Sequence, residues 1–144
     1  MKLAIASDHA GFELKEALKL SFPQHEFTDF GTHDTHSMDY PDTGFPAAKA
    51  VADGTCEKGI LICGSGIGMS ITANKVPGIR AALCSITDVA RLSRMHNDAN
   101  ILVLAGRFTA TAYAIEIASA WLETAFEGGR HQNRINKIHQ GERK

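Results

Sequence analysis

Apolar residues in this chain fall into short unbroken runs separated by longer amphipathic stretches. Residues 3–6, 59–63 and 101–105 carry no charged or polar side chain. Runs of that length with no polar alternation predict strands buried on both faces. Weaker runs at 26–30 and 79–84 predict two more strands. Between them the period changes to that of a helix. Phe12, Leu14, Ala17, Leu18 and Phe22 recur at near-helical spacing until Pro23. Asp42 is placed to cap a helix through Ala47, Ala48, Val51 and Ala52 that closes near Gly54. Residues 69–75 predict a short helix stopped by Pro77 and Gly78, and residues 87–95 a further one. Residues 109–126 form a long helix with Ala112, Ile115, Ala118, Trp121, Leu122 and Ala125 on one side, and Gly128-Gly129 precede a last, basic helix.

Strand and helix in alternation predict an α/β fold, a five-stranded parallel sheet with helices on both faces. The simplest winding is the flavodoxin-like order 2-1-3-4-5. Residues 1–144 then form a single Rossmann-like domain with a C-terminal basic helix. In such a sheet, ligands bind beyond the carboxyl ends of the strands where the winding reverses, here between the first and third strands. That brings Ser7-Asp8-His9 against Cys63-Gly64-Ser65. Cys84 and Gly106-Arg107, at the ends of the fourth and fifth strands, are second candidates on the same edge.

The third strand runs into Gly64-Ser65-Gly66-Ile67-Gly68. Three glycines two apart let the backbone turn sharply and aim N–H groups at an anion, with a helix N-terminus behind them. The motif lacks the lysine of a phosphate-loop NTPase, and its third glycine comes one place early for a dinucleotide fingerprint. Cys63 at its lip sits in a field that favours a thiolate, although a free cysteine is as readily an inert core residue. Asp8 can equally cap the first helix, and His96-Asn97 can be no more than a helix C-terminus.

Net charge is −1, but the last seventeen residues carry +4 and the rest of the chain −5. A nucleic-acid surface is not expected from that balance. Arg130 and Arg134, one helical turn apart, offer a fork suited to a phosphate, or simply a solvated basic face. Three cysteines without a Cys-x-x-Cys pair predict reduced thiols and a cytoplasmic protein. No stretch approaches a membrane span. Asp8, His9, Cys63 and His96 are metal-ligating types, yet lack the spacing of a zinc site, so neither metal nor cofactor is expected.

Taken together, Ser7 to Phe12, Asp39-Tyr40-Pro41, Ile60 to Gly68, Ser93 to Asp98 and Glu127 to Gln132 resemble the ribose-5-phosphate isomerase B family over nearly the whole chain. The resemblance implies a metal-free and cofactor-free isomerase of ribose 5-phosphate and ribulose 5-phosphate. Its relatives act on galactose 6-phosphate and allose 6-phosphate. By that resemblance Cys63 is the base that moves a proton between C2 and C1, and His96 the acid that opens the ring. Gly64, Ser65, Gly66, Ile67 and Gly68 receive the enediolate oxygen. Ser65 stands where many members have threonine, which keeps the hydroxyl. Asp8, His9, Tyr40, Asn97, Arg107, Arg130 and Arg134 hold the sugar and its phosphate. The resemblance also implies a homodimer, or a dimer of dimers, with His96 and the C-terminal arginines supplied across the interface. An isomerase of another sugar phosphate, tetrose or hexose, and a non-catalytic sugar-phosphate or nucleotide-binding protein remain open alternatives. A zinc hydrolase is a third.

Overall fold

A computed structural model describes residues 1–142. Five parallel strands, β1 (Lys2–Ser7), β2 (Glu26–Asp29), β3 (Lys58–Cys63), β4 (Ala81–Leu83) and β5 (Ile101–Ala105), form one sheet. Its helices are α1 (Phe12–Ser21), α2 (Pro41–Ala52), α3 (Ile67–Asn74), α4 (Thr87–Asn97), α5 (Thr111–Glu123) and α6 (Arg130–Gln140). Arg143 and Lys144 of the basic tail lie outside the described residues.

Strand alternation sorts the core into two layers. Ala4, Ala6, Leu61, Cys63, Ile101 and Val103 face α2 and α3. Ile5, Ile60, Ile62, Leu102 and Leu104 face α1, α4 and α5, around the fully buried Trp121. Parity therefore puts Cys63 on the same side as the helix that follows it.

The strand order is 2-1-3-5-4 rather than 2-1-3-4-5. Burial explains the exchange. In β5 the first four residues are buried, whereas β4 is only three residues long and none of them is buried. The strand that is apolar on both faces takes the interior position beside β3, and the short one becomes the edge. The switch between β1 and β3 is unaffected, but the end of β5 moves next to the end of β3.

Two helices differ from the pattern in detail. Asp42 lies in the first turn of α2 behind Pro41, and Tyr40 occupies the cap position without a side-chain bond. Proline fits the first helical place because its missing N–H would have no partner there. In α5 the buried face is Ala114, Ile117, Ala118 and Trp121, a strict i, i+3, i+4, i+7 stripe. Ala112 and Ala125 are exposed.

Candidate active site

The ends of β1 and β3 meet as topology requires. The Asp8 N–H donates to Ile62 O at 3.2 Å, and the Asp8 carboxylate accepts from the Gly11 N–H at 3.0 Å. Asp8 thus caps the single 3-10 turn that leads into α1 while lying beside β3. His9 Nδ1 accepts from the Met38 N–H at 3.2 Å. Its Nε2 therefore carries the ring proton when the imidazole is neutral.

β3 ends at Cys63, which is only 4% exposed, and the chain then turns through Gly66 at φ +78. A side chain at Gly66 would also strike Leu83 at 2.4 Å, so both conformation and space demand glycine. The Ser65 hydroxyl accepts from the Ile67 N–H at 3.2 Å and fixes the entry to α3. Among the described residues, the N–H groups of Ser65, Gly66 and Gly68 have no protein acceptor. They stand at the positive end of α3.

Two side chains close over this turn because glycine lets them. The Gly106 N–H donates to Cys63 O at 2.8 Å and the Arg107 N–H to Gly64 O at 3.0 Å. This pairing carries the Arg107 guanidinium to 3.3 Å from where a Gly64 Cβ would be. The Tyr40 ring lies over Gly68 so closely that a Cβ there would sit 2.5 Å from it. The result is a cleft of about 590 Å³ lined by Asp8, His9, Tyr40, Cys63, Ser65 and Arg107, together with Gly64, Ile67 and Gly68. In the order 2-1-3-4-5 the end of β5 would stand one strand away from β3, and Arg107 with it. The exchange of β4 and β5 brings it in.

Cys84 belongs elsewhere. It packs in the core layer of α4 and α5, and burial pushes its thiol up to about 11, only partly opposed by the Ser93 hydroxyl. It remains an unreactive thiol.

Ile71 and Phe108 also line the cleft and carry no polar chemistry to flag them in the sequence. Phe108 is 80% exposed, and Ile67, Ile71, Tyr40 and Phe45 add further exposed apolar surface.

His96, Asn97, Arg130 and Arg134 are not part of this cleft. α4 runs back along the sheet and delivers its last turn to the opposite edge, where the Gly59 N–H donates to Asn100 O at 3.0 Å. Gly59 lies at the opening end of β3 and Cys63 at its close. At about 3.3 Å of rise per residue, the two edges are separated by more than 10 Å. Asp98, in the left-handed conformation at φ 45, caps α4, rather than Asn97. Arg94 Nη1 donates to the Asp98 carboxylate at 2.8 Å, and Arg80 Nη2 donates to Asp98 O at 2.8 Å. The turn after His96 is held firmly. Asn97, Arg130 and Arg134 are exposed.

His96 stacks on His131 with ring centroids 4.3 Å apart and an interplanar angle of 15°. Ligand atoms of His96, Glu127 and His131 lie within 4.8 Å of one another. Near-parallel rings direct their nitrogen lone pairs side by side, however, not at the common centre a tetrahedral zinc site needs. Among the described residues, no helix is long and apolar enough to cross a membrane.

Residues 3–138 match the family model described as Ribose/Galactose Isomerase. The chain is 50% identical to the putative sugar phosphate isomerase YwlF of Bacillus subtilis, over 100% of this chain and 99% of that protein. It is 45% identical to ribose-5-phosphate isomerase B of Escherichia coli, over 95% of this chain and 93% of that protein. Among solved structures, ribose-5-phosphate isomerase B of Clostridium thermocellum superposes with a TM-score of 0.95 at 51% identity, covering 97% of this chain and 96% of that one. The enzyme of Mycoplasma genitalium with bound ribulose-5-phosphate gives 0.92 at 41% identity, covering 96% and 94%.

Proposed function

The chain belongs to the ribose/galactose isomerase family, and from that premise we propose that it interconverts ribose 5-phosphate and ribulose 5-phosphate through an enediolate. One observation carries the reading. A single thiol, Cys63, shares a cleft with a carboxylate, an imidazole and a glycine turn whose N–H groups have no protein acceptor. A proton transfer next to a carbonyl needs a base and a place for the developing oxyanion, and nothing else.

In this mechanism His96 donates a proton to the ring oxygen as the anomeric hydroxyl loses its own, giving the open aldehyde. Cys63 as thiolate removes the C2 proton, and the electron pair moves to the C1 oxygen. The N–H groups of the glycine turn and the Ser65 hydroxyl hold that oxyanion, each such donor contributing about 2.7–4 kcal/mol to lowering the barrier. Cys63 returns the proton to C1 while the O2 proton passes to the C1 oxygen, which leaves the carbonyl at C2 and a hydroxyl at C1, the ketose. Asp8, His9, Tyr40 and Arg107 hold the sugar. Arg130 and Arg134 grip the phosphate, as charge-assisted forks suit a dianion.

His96 and the two arginines stand at the wrong edge to act on their own chain's Cys63. The active form is therefore a homodimer in which each copy completes the other's cleft. The exposed apolar residues around the cleft, Ile67, Ile71 and Phe108, support a covering partner. Neither metal nor cofactor enters the reaction, and the enzyme works in the cytoplasm on a small metabolite.

The test is a proton NMR assay in D₂O with tetrose, pentose and hexose phosphates as a panel. The expected result is conversion of ribose 5-phosphate with solvent deuterium entering at the exchanging carbon, unaffected by chelator. Faster conversion of a hexose or tetrose phosphate would reassign the substrate. Binding without any exchange would make the protein a sugar-phosphate binder.

A further inference from the structure

Resting on the reading of His96 as the ring-opening acid, we propose that His131 is a positioning residue that fixes the orientation of the His96 imidazole. His96 is only partly buried, whereas His131 is 7% exposed. A side chain on the last turn of a helix, facing outward, ordinarily rotates among several orientations. Here its ring lies flat on a second imidazole, 4.3 Å away and tilted by 15°. An offset stack of that kind restricts rotation about χ2.

The supporting ring is itself well held. The Glu127 N–H donates to Met95 O at 3.1 Å, and Arg94 Nε donates to Thr124 O at 3.2 Å. These bonds fasten the α5–α6 connection to the two residues just before His96. The Glu127 carboxylate lies 3.5 Å from His131 Nε2, and the His131 N–H donates to Gly128 O at 3.2 Å. Arg130, a proposed phosphate ligand, immediately precedes His131 in the chain. One short segment thereby sets the direction of both the acid and the phosphate grip, and the two arrive at the partner's cleft in fixed relation. Misplacing a reacting group by about 1 Å can cost on the order of 10²-fold in rate.

Positioning of a ring-opening acid has a signature that plain structural damage lacks. Ribulose 5-phosphate cannot close a five-membered ring, because its C5 oxygen carries the phosphate. Exchange of its C1 proton with solvent needs Cys63 but no ring-opening step. The experiment compares His131→Leu, which fills the space without a flat ring, with His131→Phe, which restores one. Both are read for turnover of ribose 5-phosphate and for C1 exchange of ribulose 5-phosphate in D₂O.

His131→Leu is expected to lower kcat on ribose 5-phosphate about 10–100-fold, with KM within about threefold and ketose exchange close to wild type. His131→Phe is expected to recover most of the loss. Unchanged ribose turnover in His131→Leu, an equal loss of both reactions, or no recovery in His131→Phe overturns the inference. His96→Ala is the control for the underlying reading. If it keeps ribose turnover, His96 is not the acid and both ideas fall. If it is impaired while His131→Leu is not, only the positioning role fails.

Discussion

At the edge where β1, β3 and β5 end, the chain makes a hollow out of backbone: N–H groups, a thiol, a carboxylate and an imidazole converge on a cleft. At the edge where those strands begin, it presents side chains outward, with His96 on a buried ring and Arg130 and Arg134 exposed beside it. The first edge is built where glycine permits close approach, at Gly64 and Gly68. The second is built on helix ends, braced by Arg80, Arg94 and Asp98. Under the proposed reaction the two edges are complementary, with Cys63 and the glycine turn at one and His96, Arg130 and Arg134 at the other, and the topology of one chain keeps them apart.

The largest effect is expected at the concave edge. Cys63→Ala should lower turnover by about 10²–10⁴-fold, the usual contribution of a positioned base, while binding of a substrate analogue by calorimetry stays unchanged. Near-normal turnover would break the assignment of the base and leave the cleft a binding site only. At the projecting edge, the double substitution Arg130→Ala with Arg134→Ala should act on KM rather than on the chemical step. Two charge-assisted hydrogen bonds of about 1.5–3 kcal/mol each together translate into a rise of roughly 10²–10⁴-fold, and steady-state kinetics would show whether kcat follows.

A smaller effect separates the two edges by acid. Asp29 ends β2 on the cleft side, where it accepts from Lys15 Nζ at 2.6 Å, from Lys19 Nζ at 2.8 Å and from the Gly31 N–H at 2.9 Å. The Gly31 carbonyl in turn accepts from the Ser7 N–H, beside Asp8. Burial would raise the Asp29 carboxyl, but the two lysines and the Gly31 N–H outweigh it and hold the carboxyl below its ordinary value. A depressed carboxylate contributes stability that is fully present above the unfolded value, about 3.9. That stability is lost as pH falls through the folded one. The unfolding temperature should therefore fall below about pH 4, and Asp29→Asn should give a shallower slope there, with Glu16, held down by the same lysines, supplying part of what remains. Hydrogen exchange in acid should show the cleft edge loosening before the turn after α4. The opposite order would contradict this account of what braces each edge.

Much of this was legible in the sequence, and the reasons are physical. β1, β3 and β5 each hold an unbroken apolar run, residues 3–6, 59–63 and 101–105, so their burial and their parallel pairing follow from composition. The meeting of Asp8 with Cys63 follows from the winding. The exchange of β4 and β5 does not, because it depends on which of two apolar runs is short and half-covered in three dimensions, and it alone decides that Arg107 reaches Gly64. Tyr40 over Gly68 is a contact between distant elements with no periodic trace. His96 could have been assigned to the far edge, since a helix after a parallel strand returns to where the next strand begins. The stack on His131 is visible only in the packing of α6 against α4.

The central claim is that one working site needs two chains, and subunit mixing tests it most directly. Cys63→Ala and His96→Ala, each inactive alone, are combined, dissociated and reassociated, and turnover of ribose 5-phosphate is measured. Equal mixing gives hybrids in half of the dimers, each with one intact site, so activity should return to about a quarter of wild type. A mixture that forms hybrid dimers and stays as inactive as its parents would contradict the shared site.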